Sequence, residues 1–447
     1  MKNKLLFLLF LGFAVARAQE AKPKLRMPLK EAVAMALSKS SEANLAGAKV
    51  TTRQYELESV KNNRYPDVKV SGQYLKLTQA DVKLRSSNEA STDPNAEPQS
   101  SPKVNQLALA QASVSMPIFS GFKLKNSIAA SENLYHAEQA NAEFSKSSIA
   151  LEVVEYYGDL YKAQRSVELL KESLKSSNER VKEFQDREKN GLIARNDLLR
   201  AQLQVSKTQL SLDEAEKNVR LLNYNLVQLL KLPEGTEMEI SPDQIDSDLF
   251  SKTVKPESEA LGGRKDLEAV RFGRKAAESN IKVAKAAYFP SLALTGGYVA
   301  LDVQNVVNVT NAMNVGVGLS YNLSSIFKNG TEVKAAKSKA AELEQQETIL
   351  TDRAKSEINK ARENYELSLK QDAVYAEAVT QAAENYRIVK DKYDNGLSDT
   401  NDLLEADVED LSAKINQTYA KANVILKYYE WLDASGQLTE SLNIAKN

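Results

Sequence analysis

Two long stretches of this chain, 118–232 and 291–447, contain no proline, although the chain has 11. Proline costs about 3 kcal/mol inside a helix, so these stretches are where long helices are permitted. Glycine sharpens the pattern. Between Gly121 and Gly235 only Gly158 and Gly191 occur, and beyond Gly330 only Gly396 and Gly436. Each stretch therefore reads as one very long helix, a single break, and a second helix. At the α-helical rise, Phe122–Lys189 spans roughly 100 Å and Thr331–Asp394 roughly 95 Å. Average globular helices run about 11–12 residues, so a single compact core is excluded and coiled-coil or barrel-stave packing is expected.

The seams agree. Leu198, Ala201, Val205, Thr208, Leu212, Ala215, Val219, Leu222, Leu226 and Leu229 alternate steps of three and four. The row Leu404, Val408, Leu411, Ile415, Thr418, Ala422, Ile425, Tyr429 and Leu432 does the same. This is a sustained heptad pattern. Leu199, Leu203 and Leu210 add a second, adjacent row, which points to helical neighbours on both sides, as in a closed ring. A two-helix coiled coil stays open on this feature alone.

Composition removes several function classes. There is no Cys and a single His, His136. Disulfides, thiolate nucleophiles and His-pair metal sites are excluded, and no catalytic, cofactor or metal site is expected. Lys+Arg total 59 against 60 Asp+Glu, so no strongly basic surface announces nucleic acid. Met1–Lys4 is basic, Leu5–Ala16 is apolar but shorter than the ~20 residues of a spanning helix, and Ala16-Arg17-Ala18 fits a small-x-small cleavage site. Residues 1–18 are expected to be a signal peptide. Removing them leaves 56 basic against 60 acidic side chains, a net charge of about −4.

The chain is written twice. Asn190-Gly191-Leu192-Ile193-Ala194-Arg195-Asn196-Asp197-Leu198-Leu199-Arg200-Ala201 recurs as Asn395-Gly396-Leu397-Ser398-Asp399-Thr400-Asn401-Asp402-Leu403-Leu404-Glu405-Ala406, eight of twelve positions being identical. In each copy the glycine falls at the helix break, where it supplies the left-handed residue that ends a helix, with the leucine as its expected hydrophobic contact. Asn-Asp is expected to cap the next helix. Upstream, the stretch from Tyr65-Pro66 to Tyr74 echoes the stretch from Phe289-Pro290 to Tyr298, both with a period of two after a helix-stopping proline. Return strands follow at Val104–Met116 and at Val315–Leu323.

These signals give a mainly α protein with β, built from a duplicated helix, β-hairpin and long helical hairpin. The first repeat covers 19–235, with strands near 66–84 and 104–118 and a helical hairpin near 121–231 tipped at 191. A connector covers 236–262. The second repeat covers 263–447, with strands near 290–303 and 313–323 and a helical hairpin near 330–433 tipped at 396. Ser86–Pro102, rich in Ser, Pro, Asn and Glu, makes the first hairpin loop the longer one. In a bilayer an open four-stranded sheet leaves both edges unpaired at several kcal/mol per group, so copies must share one closed wall. Two chains give eight strands and three give twelve; the arithmetic does not choose.

Taken with Pro117-Ile118-Phe119-Ser120-Gly121 leading into the long helix, and above all the paired Asn-Gly-Leu tips, the sequence resembles the TolC family of outer-membrane efflux proteins. The resemblance implies a homotrimer: a twelve-stranded barrel in outer-membrane lipid, continued by a periplasmic helical barrel. It implies a passive exit duct serving an inner-membrane transporter through a periplasmic adaptor protein, not an enzyme. It assigns Gly191, Leu192, Gly396 and Leu397 to adaptor docking, and Tyr393, Asp402, Glu405 and Asp197 to the periplasmic constriction, Asp197 and Asp402 being open also to a helix-capping role. Ser398 stands where some family members carry arginine, and Asn322–Gly330 departs from the family pattern at the end of the last strand. A duct for type I protein secretion uses the same trunk and is not separated from small-molecule efflux. A periplasmic adaptor would carry one hairpin flanked by lipoyl and barrel segments, and a structural coiled coil would lack the paired strands. His136 reads as a seam residue, and Tyr428, Tyr429 and Trp431 as packing in a central collar. Tyr74 and Tyr298 fall either at a membrane interface or in strand packing.

Overall fold

A computed structural model describes residues 24–81, 103–240 and 254–442. The expected signal peptide, the loop Ser86–Pro102 and the middle of the connector lie outside these residues. The chain forms two compact units, one of Val50–Glu138 with Ala269–Glu347, the other of residues up to Lys49 with Gln139–Glu268 and Thr348 onward.

In chain order the elements are β1 (Lys24–Leu25), α1 (Leu29–Lys39), α2 (Ser41–Asn62), β2 (Asp67–Asp81), β3 (Lys103–Ser120), α3 (Lys123–Lys189), α4 (Arg195–Leu229), β4 (Glu237–Met238), α5 (Glu257–Gly263) and α6 (Lys265–Lys285). A 3₁₀ turn at Ala286–Tyr288 leads to β5 (Ser291–Val303), β6 (Val307–Ser320), α7 (Ser325–Asp394), α8 (Thr400–Ala434) and α9 (Leu438–Ser441). Helices α3 and α7 run 67 and 70 residues.

The sheet order is β2-β3-β5-β6, antiparallel throughout, so the two duplicated hairpins join at β3–β5. Register fixes the faces, because side chains alternate along each strand. Val68↔Val114↔Gly296↔Val315 and Met116↔Leu294↔Val317 lie on one face, Lys69↔Ser113↔Gly297↔Asn314 on the other. In its helix-side half the first face is therefore apolar and uncovered, with Val70 82% and Val315 83% exposed. The opposite face carries Lys69, Ser71, Ser113, Thr295, Gly297 and Asn314 in its helix-side half and turns apolar toward the hairpin loops, with Leu75↔Leu107↔Val303 and Leu109↔Leu301↔Val309. Pro117 sits at a bulge between Pro117 and Phe119, which is where a strand tolerates the missing N–H.

The second hairpin departs from the expected bounds. β6 begins at Val307 rather than 313, because Asn305 takes a left-handed backbone (φ 60°) and Val306 N–H donates to Val303 O at 3.0 Å, closing a tight turn. It ends at Ser320 rather than 323, since Asn322 turns the chain: its carbonyl accepts Ser325 N–H (3.0 Å) and its side chain accepts Ser324 N–H (3.1 Å). α7 consequently starts five residues before the expected 330, and Gly330 lies inside the helix.

In the other unit, the main core packs α1 (Leu29, Ala32, Val33, Ala36) with Val153, Val154, Tyr157 and Leu160 of α3, Leu226 and Leu230 near the end of α4, and Tyr428, Tyr429 and Leu432 of α8. Tyr157 donates its hydroxyl to Met27 O (2.9 Å), and Trp431 packs 5.6 Å from the Tyr365 ring. β1 and β4 pair in parallel within this unit, bringing the connector's first residues against Lys24 and Leu25. Along α4 the expected seam is buried at Leu198, Ala201, Thr208, Leu212 and Leu226, while Leu199, Leu203 and Leu210 stay exposed. Near its start, α8 buries a different row from the expected one: Leu403, Ala406, Ala413 and Ala420, with Val408 exposed. The small side chains of that row permit the closer backbone approach, and the larger row is only partly covered.

Candidate functional site

Both tips lie in the same unit and are built alike. Gly191 and Gly396 hold φ of 73° and 72°. Leu192 N–H donates to Arg187 O (2.8 Å) and Gly191 N–H to Glu188 O (2.9 Å); Leu397 N–H donates to Lys392 O (2.8 Å) and Gly396 N–H to Tyr393 O (3.0 Å). This pair of bonds is the Schellman closure, which satisfies carbonyls orphaned at a helix end. Asn190 and Asn395 donate their side-chain amides to Asp186 O and Asp391 O, both at 2.7 Å. The expected leucine packing is absent: Leu192 is 73% and Leu397 78% exposed. Ile193 instead packs inward in the first copy.

The expected Asn-Asp caps are also corrected. α4 begins at Arg195 with Ala194 in the N-cap position and no side-chain cap bond. α8 begins at Thr400, capped by Asp399, whose carboxylate accepts Asn401 N–H (2.8 Å) and Asp402 N–H (3.0 Å). Asp197 and Asp402 are thus the third residues of their helices, where a negative charge meets the positive end of the dipole but does not cap it. Asp402 accepts the Ser398 hydroxyl at 2.7 Å. Glu405, one turn on from Asp402, is exposed on α8.

Behind the turns, Phe184, Leu198, Ala201, Tyr393 and Leu403 form a second buried cluster drawn from both copies. Tyr393 therefore lies in packing: its ring stacks on Phe184 (centroids 5.7 Å apart, 23° between planes) and Arg187 lies over its face at 5.5 Å. Its hydroxyl is buried with no partner among the described residues.

One group escaped the sequence reading. Arg180 of α3 donates to both carboxylate oxygens of Asp407 on α8 (2.8 and 3.1 Å) and to the Tyr386 hydroxyl on α7 (2.8 Å). Its side chain is 8% exposed and that of Asp407 16%. Burial by itself would lower the Arg180 pKa; the Asp407 hydrogen bonds and charge outweigh it and hold the guanidinium above its ordinary value. Its signal was in the chain. Ser177, Arg180 and Phe184 continue the buried stripe of Ala163, Ser166 and Leu170 along α3, and a charge on such a stripe needs a buried counter-charge. Among the described residues no group of His, Asp and Glu side chains could hold a metal ion, and His136 packs at 5.2 Å against Phe272.

Known proteins share this arrangement. The chain is 22% identical over 325 residues to the outer membrane efflux protein BepC of Brucella suis biovar 1 (strain 1330), covering 72% of this chain and 70% of that one. Among solved structures, the outer-membrane channel OprN superposes with a TM-score of 0.78 at 19% identity, covering 93% of this chain and 94% of that one. The Campylobacter jejuni CmeC outer membrane channel gives 0.75 at 19% identity, covering 92% and 86%. The apolar sheet face and the helical hairpins thus belong to an outer-membrane channel fold that extends into the periplasm. Residues 33–230 and 257–442 match the family model described as outer membrane efflux protein, and the chain belongs to that family.

Proposed function

We propose that three copies of this chain close a twelve-stranded barrel in the outer membrane and form the passive exit duct of a tripartite efflux system. A periplasmic adaptor meets the duct at the tips, and an inner-membrane transporter supplies the energy. The observation that carries this reading is the four-stranded sheet with an uncovered apolar face in its helix-side half and outer edges on β2 and β6 that are unpaired among the described residues. In lipid each unpaired backbone group costs several kcal/mol, so the edges call for partner strands, and a second copy offers the complementary edge. The exposed second row of α4, Leu199, Leu203 and Leu210, supports neighbours of the same kind.

At the tips we assign Gly191, Leu192, Gly396 and Leu397 to adaptor docking. The left-handed glycines set the turn and the exposed leucines offer apolar contact. Asp197, Asp402 and Glu405 are assigned to a constriction where threefold repetition gathers carboxylates and favours cations. Tyr393 backs that constriction from the buried cluster, and Arg180 with Asp407 and Tyr386 ties the helices behind it.

Two measurements test the reading. Native mass of the detergent-purified protein should be three chains, and planar bilayers should show single-channel steps; a monomer without conductance overturns the duct. The double variant Asp402→Asn/Glu405→Gln should weaken block of the current by divalent cations, and unchanged block removes these residues from the constriction.

A further inference from the structure

At the helix-bearing end of the sheet, the strand-to-helix junction opens a groove of about 230 Å³ lined by Arg64, Ile118, Phe119, Ser120, Phe122 and Lys125 among others, with no carboxylate among the lining residues. Its floor is aromatic. Phe122 packs edge-to-face on Phe119 (5.2 Å, 87°) and on Phe289 (6.3 Å, 86°). The groove continues the apolar sheet face, since Met116 extends the row of Val114 opposite Leu294 and, past the bulge, Phe119 pairs with Leu292 of the same row. Its backbone is strained to make this shape. Gly121 and Phe122 are both left-handed (φ 61° and 67°), an outlier for a bulky side chain that is itself 55% exposed. A Cβ on Gly121 would stand 2.6 Å from Ala286 O, so the turn tolerates no other residue there.

The charges point the same way. Lys123 and Lys125 occupy the first turn of α3, and Lys328 that of α7, with no acidic residue in either turn. Every other α-helix among the described residues carries Asp or Glu in its first turn, as with Glu31, Glu42, Asp197, Asp266 and Asp402. Cations at a helix N-terminus oppose the dipole unless an anion from outside sits with them. Arg64 and Lys125 form no ion pair among the described residues, and the nearby Asp67 is taken by Lys69 at 2.8 Å.

We propose that this groove holds the headgroup of an anionic phospholipid from the periplasmic leaflet of the outer membrane, with Arg64 and Lys125 on the phosphate and Phe119, Phe122 and Ile118 against the start of the acyl chains. Aromatic side chains gather at membrane interfaces and basic ones attract anionic lipid, so one site meets both ends of one molecule. This goes beyond the duct itself and depends only on the sheet standing in the membrane.

The test uses the full-length protein in detergent micelles doped with phosphatidylglycerol or phosphatidylcholine, with retained lipid counted by native mass spectrometry. The wild type should prefer phosphatidylglycerol by about tenfold or more. Arg64→Gln/Lys125→Gln should bring that ratio close to one, while Lys207→Gln/Lys217→Gln, an equal loss of charge from exposed lysines of α4, leaves it intact. Matching far-UV circular dichroism melts establish that the variants are folded. An absent preference in the wild type overturns the proposal whatever the variants do. So does a preference that survives the groove variant or falls equally in the control, and so does displacement of the lipid by millimolar inorganic phosphate, which would mark a site for the free anion.

Discussion

The two tips share a backbone and differ in chemistry. Gly191 and Gly396 make the same closure with the same pattern of hydrogen bonds, and the paired Leu198/Leu403 and Ala201/Ala406 are buried in both. The positions that differ carry the electrostatics. Ala194 stands opposite Asp399, Arg200 opposite Glu405, Glu188 opposite Tyr393, and Arg180 opposite Asn385. Duplication therefore preserved what the turn requires and let the charges diverge, so that one copy supplies the buried cation and the other its carboxylate. Divergence at these positions leaves a single Arg180–Asp407 link, since Gln202 stands opposite Asp407 and Asn385 opposite Arg180.

The largest way to break this comparison is Arg180→Met. It leaves Asp407 buried without its counter-charge, which costs about 3–5 kcal/mol. Hydrogen exchange should report opening of both tips together, since Arg180 reaches α7 and α8 at once. Asn385→Ala, at the matching position of the second copy, should leave exchange unchanged. Phe184→Ala comes next, at about 3 kcal/mol or more for a buried aromatic. Its counterpart Val389 is only partly buried, and Val389→Ala should cost clearly less. The glycines should behave as equals. A Cβ at Gly191 or Gly396 meets no atom within 4 Å, so Gly191→Ala and Gly396→Ala each pay only for the left-handed backbone, about 1–2 kcal/mol. Unequal losses in the exchange of the Leu192 and Leu397 amides would show that the two turns are not equivalent.

How much of this could be read from the chain follows from the range of each interaction. The tips and the long helices were legible because glycine and proline act on their own backbone. The period of two placed the strands of the first hairpin. The start of β6 was not legible, because it depends on the left-handed Asn305, and asparagine enters that region without requiring it. The buried face of α8 was misread in its first half for a related reason. The rows beginning at Leu403 and Leu404 are both apolar, and the choice between them rests on which neighbour approaches, which is not a local property. The packing of Tyr393 with Phe184 was hidden in the same way, since it joins residues of different copies.

The finest distinction between the tips lies in the helix starts, and exchanging them is the smallest test. Asp399 accepts two backbone N–H groups at the start of α8, and a cap of this kind is worth about 1 kcal/mol. Asp399→Ala should therefore speed exchange of the Asn401 and Asp402 amides severalfold while leaving Leu397 protected, because the Schellman bonds do not involve the cap. Ala194 already has the extended backbone a cap needs (φ −80°, ψ 153°), so Ala194→Asp should gain about the same amount at α4 and slow exchange at Asn196 and Asp197. The two changes need not cancel in full. Asp399 shares its turn with the Ser398–Asp402 hydrogen bond, whereas residue 194 follows the inward-packed Ile193 and precedes Arg195, which lies 3.6 Å from Glu188. A new carboxylate at 194 would also attract Arg195, so the gain at α4 should fall more steeply with salt than the loss at α8. Equal salt dependence at the two starts would mean that the neighbouring charges do not reach the cap.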